Sequence, residues 1–187
     1  MSNAVSALAG REAVGEVTVR DAGLRGMITL RGDLADPKLH AICTGLAGVD
    51  FPGAMRANCV GQKGLCWMSP DEILILLPYA EVPKALGMID AALEGTHYLA
   101  QSVSDARAVL SVEGGFCREV IAKLAPVDLH PDAFRPGDFR RTRLGQVAAA
   151  FWMRDEACFE IICFRSVAGY AFDLLAASAK AGPVRLF

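Results

Sequence analysis

The chain has 187 residues, a formal net charge of −2 and a pI near 5.9, which give no electrostatic basis for binding nucleic acid or an anionic membrane. No run of residues approaches the roughly 18–20 apolar positions of a membrane span, and the amino terminus lacks the basic start of a signal peptide. Apolar residues make up 53% of the chain, which fits either an alanine-rich core or a surface buried against another chain; we favour the second.

The first half of the chain predicts two hairpins and two helices. Residues 16–20 alternate as a half-buried strand does, and we expect them to form a hairpin with residues 27–31. Asp36 precedes a proline and predicts the N-cap of a helix. A second hairpin is expected over residues 65–77, and a second helix begins at Glu81.

The second half predicts the same order of elements. Residues 97–103 are expected to pair with residues 107–112, and a helical pattern follows from Phe116. A hairpin then covers residues 148–163, and Ser166 is the expected N-cap of the last helix. Because most neighbouring strands are joined by short turns, the predicted class is α+β with mostly antiparallel sheets.

The two halves also match residue by residue. Three pairs lie at nearly constant offsets: Gly32 and Gly114 (82 residues), Asp50 and Asp128 (78), and Trp67 and Trp152 (85). A period of about 80 residues is too long for a solenoid unit. We therefore predict one domain, residues 1–187, built from two pseudo-repeats over residues 15–95 and 96–180, each reading β-β-α-β-β-α.

Searches for catalytic and ligand-binding patterns give negative results. The chain has no dinucleotide fingerprint, Walker loop, Gly-x-Ser-x-Gly elbow or His-Glu-x-x-His motif. His40, His97 and His130 are far from one another and from any cysteine at ligand spacing. None of the six cysteines forms Cys-x-x-Cys, which favours a reduced, cytoplasmic protein. We predict no catalytic, cofactor-binding or metal-binding residue in this chain.

One basic cluster is present, formed by Arg135, Arg140, Arg141 and Arg143. Arginine side chains suit carboxylates and phosphates. The cluster is interpreted either as a contact with an acidic partner surface or as a solvated face, and less readily as a site for the glutamate tail of a folate. Aromatic residues do not interleave with these charges, which disfavours single-stranded nucleic acid.

Four runs of residues resemble the gamma subunit of heterotetrameric sarcosine oxidase: DARAVLSVEG at 105–114, LAPVDL at 124–129, RRTRL at 140–144 and FRSVA at 164–168. That family is similar to the folate-binding domain of aminomethyltransferases. The resemblance covers about residues 6–175 and is looser in the first half. It implies the aminomethyltransferase-like fold of duplicated β-β-α-β-β-α units. The catalytic aspartate of aminomethyltransferases has no matching position here.

The resemblance further implies a non-catalytic accessory subunit whose partners are alpha, beta and delta subunits. Oxidases of this type demethylate sarcosine to glycine with oxygen, forming hydrogen peroxide and, when tetrahydrofolate is present, methylenetetrahydrofolate. By the same resemblance, FAD, FMN, NAD and tetrahydrofolate belong to alpha and beta and zinc belongs to delta, so this chain holds no cofactor. The alternative is a stand-alone folate-binding protein of one-carbon transfer.

Overall fold

A computed structural model describes residues 4–185 of the protein and shows a mixed α+β chain. The strands are β1 (Glu12–Val14), β2 (Thr18–Asp21), β3 (Gly26–Gly32), β4 (Ala57–Val60), β5 (Lys63–Ser69), β6 (Glu72–Leu77), β7 (Tyr98–Ser102), β8 (Arg107–Glu113), β9 (Phe139–Leu144), β10 (Val147–Asp155) and β11 (Cys158–Phe164). The helices are α1 (Pro37–Ala47), α2 (Val82–Ala92), α3 (Cys117–Ala122) and α4 (Ala168–Lys180). The first three and last two residues of the predicted domain lie outside the described residues.

The described chain divides into two compact units, of which one spans residues 25–105. Its five strands form an antiparallel sheet in the order β4-β5-β6-β3-β7. Leu39 of α1 and Ile89 of α2 pack in one cluster with Ile28, Ile73 and Ile75 of the sheet, so both helices cover the same face. Burial of these apolar side chains, at about 25 cal/mol per Å², is the main stabilising term of the unit.

The other unit combines residues 4–24 with residues 106–185. Its six strands form an antiparallel sheet in the order β1-β2-β8-β11-β10-β9. Ile121 of α3 and Phe172 of α4 pack with Leu110, Phe151 and Phe159 of the sheet. The α+β class with antiparallel sheets is confirmed in both units.

The strand pairings at the start of each half differ from the prediction. The strand near residue 19 does not form a hairpin with β3; β2 pairs with β8, and Val19 lies opposite Val112. Likewise β7 pairs with β3, where Leu30 lies opposite Ala100, and not with β8. The prediction relied on Asp21-Ala22-Gly23, whose residues are typical of a turn. That local preference is outweighed because Val19 is fully buried in the core of the unit that contains residues 106–185.

Two predicted helix starts have different outcomes. The predicted N-cap Asp36 is confirmed, since its carboxylate accepts a hydrogen bond from the Lys38 backbone N–H at 2.8 Å and Pro37 opens α1. The predicted N-cap Ser166 is wrong. Ser166 lies inside a 3-10 turn, Arg165–Val167, and α4 begins after that turn at Ala168.

The matched tryptophans occupy different positions in their sheets. β5 has an irregularity between Trp67 and Ser69, and β10 has one between Met153 and Asp155. Trp67 and Met153 therefore hold the same place relative to these irregularities, 86 residues apart, whereas the sequence comparison matched Trp67 with Trp152. Because neighbouring strand residues point to opposite faces, Trp67 packs on the helix side of its sheet, whereas Trp152 does not belong to the helix-side core of its unit.

Candidate functional site

The structure separates the four arginines of the predicted cluster. Arg135 lies in the loop before β9, and Arg140, Arg141 and Arg143 lie in β9 itself. Successive side chains of a strand point to opposite faces, so only Arg141 and Arg143 share a face, and both are exposed. β9 is the last strand of its sheet: one edge pairs with β10, and within residues 4–185 no strand pairs with the other.

Arg140 is bound to the protein's own core. Its guanidinium lies 5.3 Å from the centre of the Phe134 ring, and its Nη1 donates a hydrogen bond of 2.8 Å to the Phe139 carbonyl. Phe134 is fully buried and packs against Phe151 and Phe159. A cation over an aromatic ring contributes about 0.5–1 kcal/mol at such partly exposed sites, so Arg140 has a packing role.

The outer edge of β9, with Arg141 and Arg143 on it, is called here the arginine edge. A two-residue turn at Gly145 and Gln146 joins β9 to β10 and sets Leu144 opposite Val147. In such a hairpin the closing pair is hydrogen-bonded and the pairs alternate from there. The backbone N–H and C=O groups of Arg141 and Arg143 therefore point away from β10. Gly145 has φ +57°, which suits the first position of this turn.

A surface depression of about 430 Å³ borders the arginine edge. Arg140, Arg141 and Thr142 line it on one side. The segment after α3, residues 126–128, and Ala133 line it on the other side. No residue of β10 contributes, so the depression runs along the edge of β9 that β10 leaves open.

Arg118, which the sequence did not single out, fixes the loop beside this depression. It is buried, and its Nη1 donates hydrogen bonds to the carbonyls of Leu129 at 3.1 Å and Phe134 at 2.6 Å. Its Nη2 forms an ion pair of 2.8 Å with Glu156, whose side chain is 72% exposed. Arg118 therefore connects α3 to residues 129 and 134, which are the two ends of the short loop that contains His130.

The charges around the arginine edge favour an anionic partner. Arg135 and Arg143 form no ion pair with a carboxylate among residues 4–185. Asp128 accepts a hydrogen bond from the His130 backbone N–H at 2.9 Å, and Asp138 accepts one from the Arg135 backbone N–H at 2.6 Å. The guanidinium groups of Arg135 and Arg143 can therefore bind carboxylates of another chain.

The cysteines are poorly suited to nucleophilic chemistry. Burial raises the pKa of four thiols, to about 12 for Cys43 and Cys158 and to about 11 for Cys117 and Cys163. A thiol reacts as its thiolate, so these four side chains are nearly unreactive at neutral pH. Cys59 is half-buried, and its sulfur lies 4.0 Å from that of buried Cys66.

The histidines and acidic residues do not form a metal site in the described part of the chain. Among residues 4–185 no group of three or more His, Cys, Asp or Glu side chains could hold a metal ion. His40 stacks on Phe51 with ring centres 3.9 Å apart, and its Nε2 contacts the Leu34 carbonyl at 2.5 Å. Among residues 4–185 there is also no helix long and apolar enough to cross a membrane.

Comparison of the sequence with protein families and curated proteins gives consistent matches. Residues 31–181 match the model of the family described as "Sarcosine oxidase, gamma subunit family". The chain is 29% identical over 161 residues to "Sarcosine oxidase subunit gamma" of Corynebacterium sp. (strain U-96), covering 84% of this chain and 77% of that protein. It is 26% identical over 158 residues to the protein of the same name from Arthrobacter sp., covering 83% and 76%.

Comparison with solved structures agrees. A chain of the heterotetrameric sarcosine oxidase from Corynebacterium sp. U-96, in complex with pyrrole 2-carboxylate, superposes with a TM-score of 0.80 at 26% identity, covering 91% of this chain and 88% of that one. The glycine cleavage system aminomethyltransferase T from Bartonella henselae superposes with a TM-score of 0.58 at 12% identity, over 86% of this chain and 45% of that one. The second match shows a shared fold alone.

Proposed function

The chain belongs to the sarcosine oxidase gamma subunit family, and from this we propose that it is a non-catalytic accessory subunit of a heterotetrameric sarcosine oxidase. The observation that carries the proposal is its likeness, over nine tenths of the chain, to a chain of the solved heterotetramer. The predicted partners are the alpha, beta and delta subunits of that complex. We expect the complex to work in the cytoplasm.

The proposed reaction belongs to the whole complex. Sarcosine is demethylated to glycine with oxygen as oxidant, hydrogen peroxide is formed, and tetrahydrofolate takes up the one-carbon unit. FAD, FMN, NAD, tetrahydrofolate and zinc are assigned to the partner subunits and none to this chain. The side chains of this chain support its accessory role: four of its thiols are buried with raised pKa, and His40 is held between a ring and a carbonyl.

Within the proposed complex, the predicted basic cluster contributes to a subunit contact. Arg141 and Arg143 supply exposed positive charge, and Arg135 adds a further guanidinium in the preceding loop. Arg140 is part of the same strand, but its position over Phe134 gives it a supporting role. An electropositive edge of this kind increases the rate of association with an acidic surface and fixes orientation.

The organisation as one domain with pseudo-repeats at 15–95 and 96–180 remains a proposal. The strand orders of the two units support it, because β4-β5-β6-β3-β7 corresponds element by element to β9-β10-β11-β8-β2. In this correspondence β2 and β7 occupy equivalent places, each pairing with the first long strand of a unit. The repeats would therefore have exchanged one strand, β2 for β7.

A comparison of the isolated chain with the complex tests the accessory role. We expect the purified chain alone to be colourless, to form no peroxide from sarcosine and to bind no tetrahydrofolate in calorimetry. Micromolar binding of tetrahydrofolate by the isolated chain would support the alternative, a stand-alone folate-binding protein of one-carbon transfer. The aminomethyltransferase-like fold is the observation in favour of that alternative. Sarcosine-dependent peroxide from the isolated chain would contradict the proposal outright.

A further inference from the structure

The arginine edge differs from the other sheet edges of the molecule. The end strands of the two sheets are β1 with three residues, β4 with four, β7 with five and β9 with six, so β9 is the longest edge strand of the described chain. Proteins protect an open edge by shortening, covering or charging its strand, because an open edge pairs readily with another chain. β9 carries charge, but it is the longest of these edge strands, and no strand within residues 4–185 pairs with its outer side.

Three features of the arginine edge point to an extended occupant. The hairpin register directs the backbone N–H and C=O groups of residues 141 and 143 outward, two residues apart, which is the spacing that a pairing strand uses. The depression of about 430 Å³ lies alongside this edge and provides space there. Pro126 and Val127 give the depression an apolar wall on the far side.

The charge of the edge determines the chemistry of that occupant. Arg141 and Arg143 lie on one face of β9, so acidic side chains at alternate positions of a neighbouring strand would lie beside them. Arg143 forms no carboxylate ion pair among residues 4–185, and the lining carboxylate of Asp128 already accepts a backbone hydrogen bond. Arg143 would repel a basic segment, and an apolar segment would leave the Arg143 guanidinium partly desolvated.

We propose that an extended acidic segment of a partner subunit adds to β9 as a seventh strand of this sheet. The inference rests on the proposed function, which supplies the partner, and deepens it by naming the edge and the mode of contact. Strand addition gives affinity through main-chain hydrogen bonds and specificity through alternate side chains. Here the main-chain groups of residues 141 and 143 supply the affinity, and the guanidinium groups of the same residues supply the specificity.

The experiment uses the whole complex, produced by co-expressing the tagged chain with the other subunits of the proposed oxidase. Arg143→Pro removes the outward N–H and the charge together. It is compatible with the β9–β10 ladder, because proline is tolerated on an edge strand where the N–H faces solvent. Arg143→Ala removes the charge and keeps the N–H, so the pair separates main-chain from side-chain contributions. Arg141→Glu with Arg143→Glu reverses the charge, and Arg154→Glu is the matched control at an exposed arginine of β10.

We expect the recovery of partner subunits to fall in a defined order. Arg154→Glu leaves it unchanged, Arg143→Ala lowers it, and Arg143→Pro lowers it further. The double charge reversal reduces affinity by about tenfold or more, as loss of complementary charge across an interface does. Raising the salt concentration from about 0.1 M to 1 M weakens the wild-type complex and narrows its difference from the charge-reversed variant. Far-UV circular dichroism of each purified variant checks that its fold is retained.

The outcomes separate this inference from the proposed function. If the wild-type chain recovers flavin-containing partners and the Arg143→Pro and double-reversal variants recover them equally well, the strand addition is wrong and the accessory role stands. If the wild-type chain recovers no such partner, the proposed function fails and this inference fails with it. If the isolated chain forms a dimer that Arg143→Pro abolishes while the complex is unaffected, the occupant is a second copy of this chain, which also overturns the proposal.

Discussion

Replacing Arg118 tests how the loop before β9 is held. Arg118→Met keeps the length of the buried side chain but leaves the carbonyls of Leu129 and Phe134 without their donor. A buried polar group that loses its partner costs about 1–3 kcal/mol. The ion pair with exposed Glu156 adds no more than about 1 kcal/mol. Because two carbonyls lose their donor, we expect Arg118→Met to lower the free energy of unfolding by at least about 2 kcal/mol.

The assay is urea unfolding of the full chain together with hydrogen exchange of the backbone amides. Residues 129–138 should exchange faster in Arg118→Met, because the loop loses its connection to α3. The matched control is Glu156→Gln, which removes the exposed partner alone and should change the free energy of unfolding by less than about 1 kcal/mol. Equal and small effects of both variants, with unchanged exchange in the loop, would refute the reasoning that Arg118 acts through the two buried carbonyls.

Three further predictions concern packing, a buried carboxylate and the thiols. Gly64→Ala should lower the free energy of unfolding by about 1–3 kcal/mol in urea titration, because the added Cβ would lie 2.4 Å from the sulfur of Cys59. Gly87→Ala is the matched control in α2. No atom lies within 4 Å of the added Cβ there, so this change should raise the free energy of unfolding by up to about 1 kcal/mol. Glu72→Ala should lower the melting temperature, because Thr29 loses a buried partner at 3.2 Å, and a melting temperature equal to wild type would count against this contact. The four thiols with raised pKa keep their protons in the folded chain above pH 9, whereas the same thiols in the unfolded chain lose theirs. The free energy of unfolding should therefore fall between pH 8 and pH 10. Ellman's reagent at pH 7.5 should modify half-buried Cys59 first, and rapid modification of all six thiols would contradict the burial.

The sequence was most informative where structure depends on neighbouring residues. The apolar run of β6 and the cap at Asp36 follow from local patterning, and both were predicted at the correct places. Strand pairing depends on distant residues. A turn signal at residues 21–23 suggested a hairpin with β3, but Val19 lies opposite Val112 of β8 and is fully buried there. The swapped pairing of β2 and β7 had no local signal.

The candidate site also has features that depend on neighbouring residues, which the sequence shows, and features that depend on distant residues, which it does not. The arginines at 140, 141 and 143 were visible in the sequence, but no strand was predicted there, so the alternation that separates Arg140 from Arg141 and Arg143 was missed. The open edge could not be predicted, because the end of a sheet depends on the order of all its strands. Arg118 was missed since a single arginine at the start of a short helix pattern does not indicate contacts with carbonyls 11 and 16 residues further along the chain.

The most direct test of the central claim is the composition and activity of the complex that this chain recruits. The tagged chain would be expressed with its neighbouring genes, purified once and examined by native mass spectrometry, flavin absorbance and sarcosine-dependent peroxide formation. We expect a yellow, active assembly that contains this chain of 19.9 kDa together with three different partner subunits. A tagged chain that is recovered alone, without flavin or peroxide formation, would contradict it.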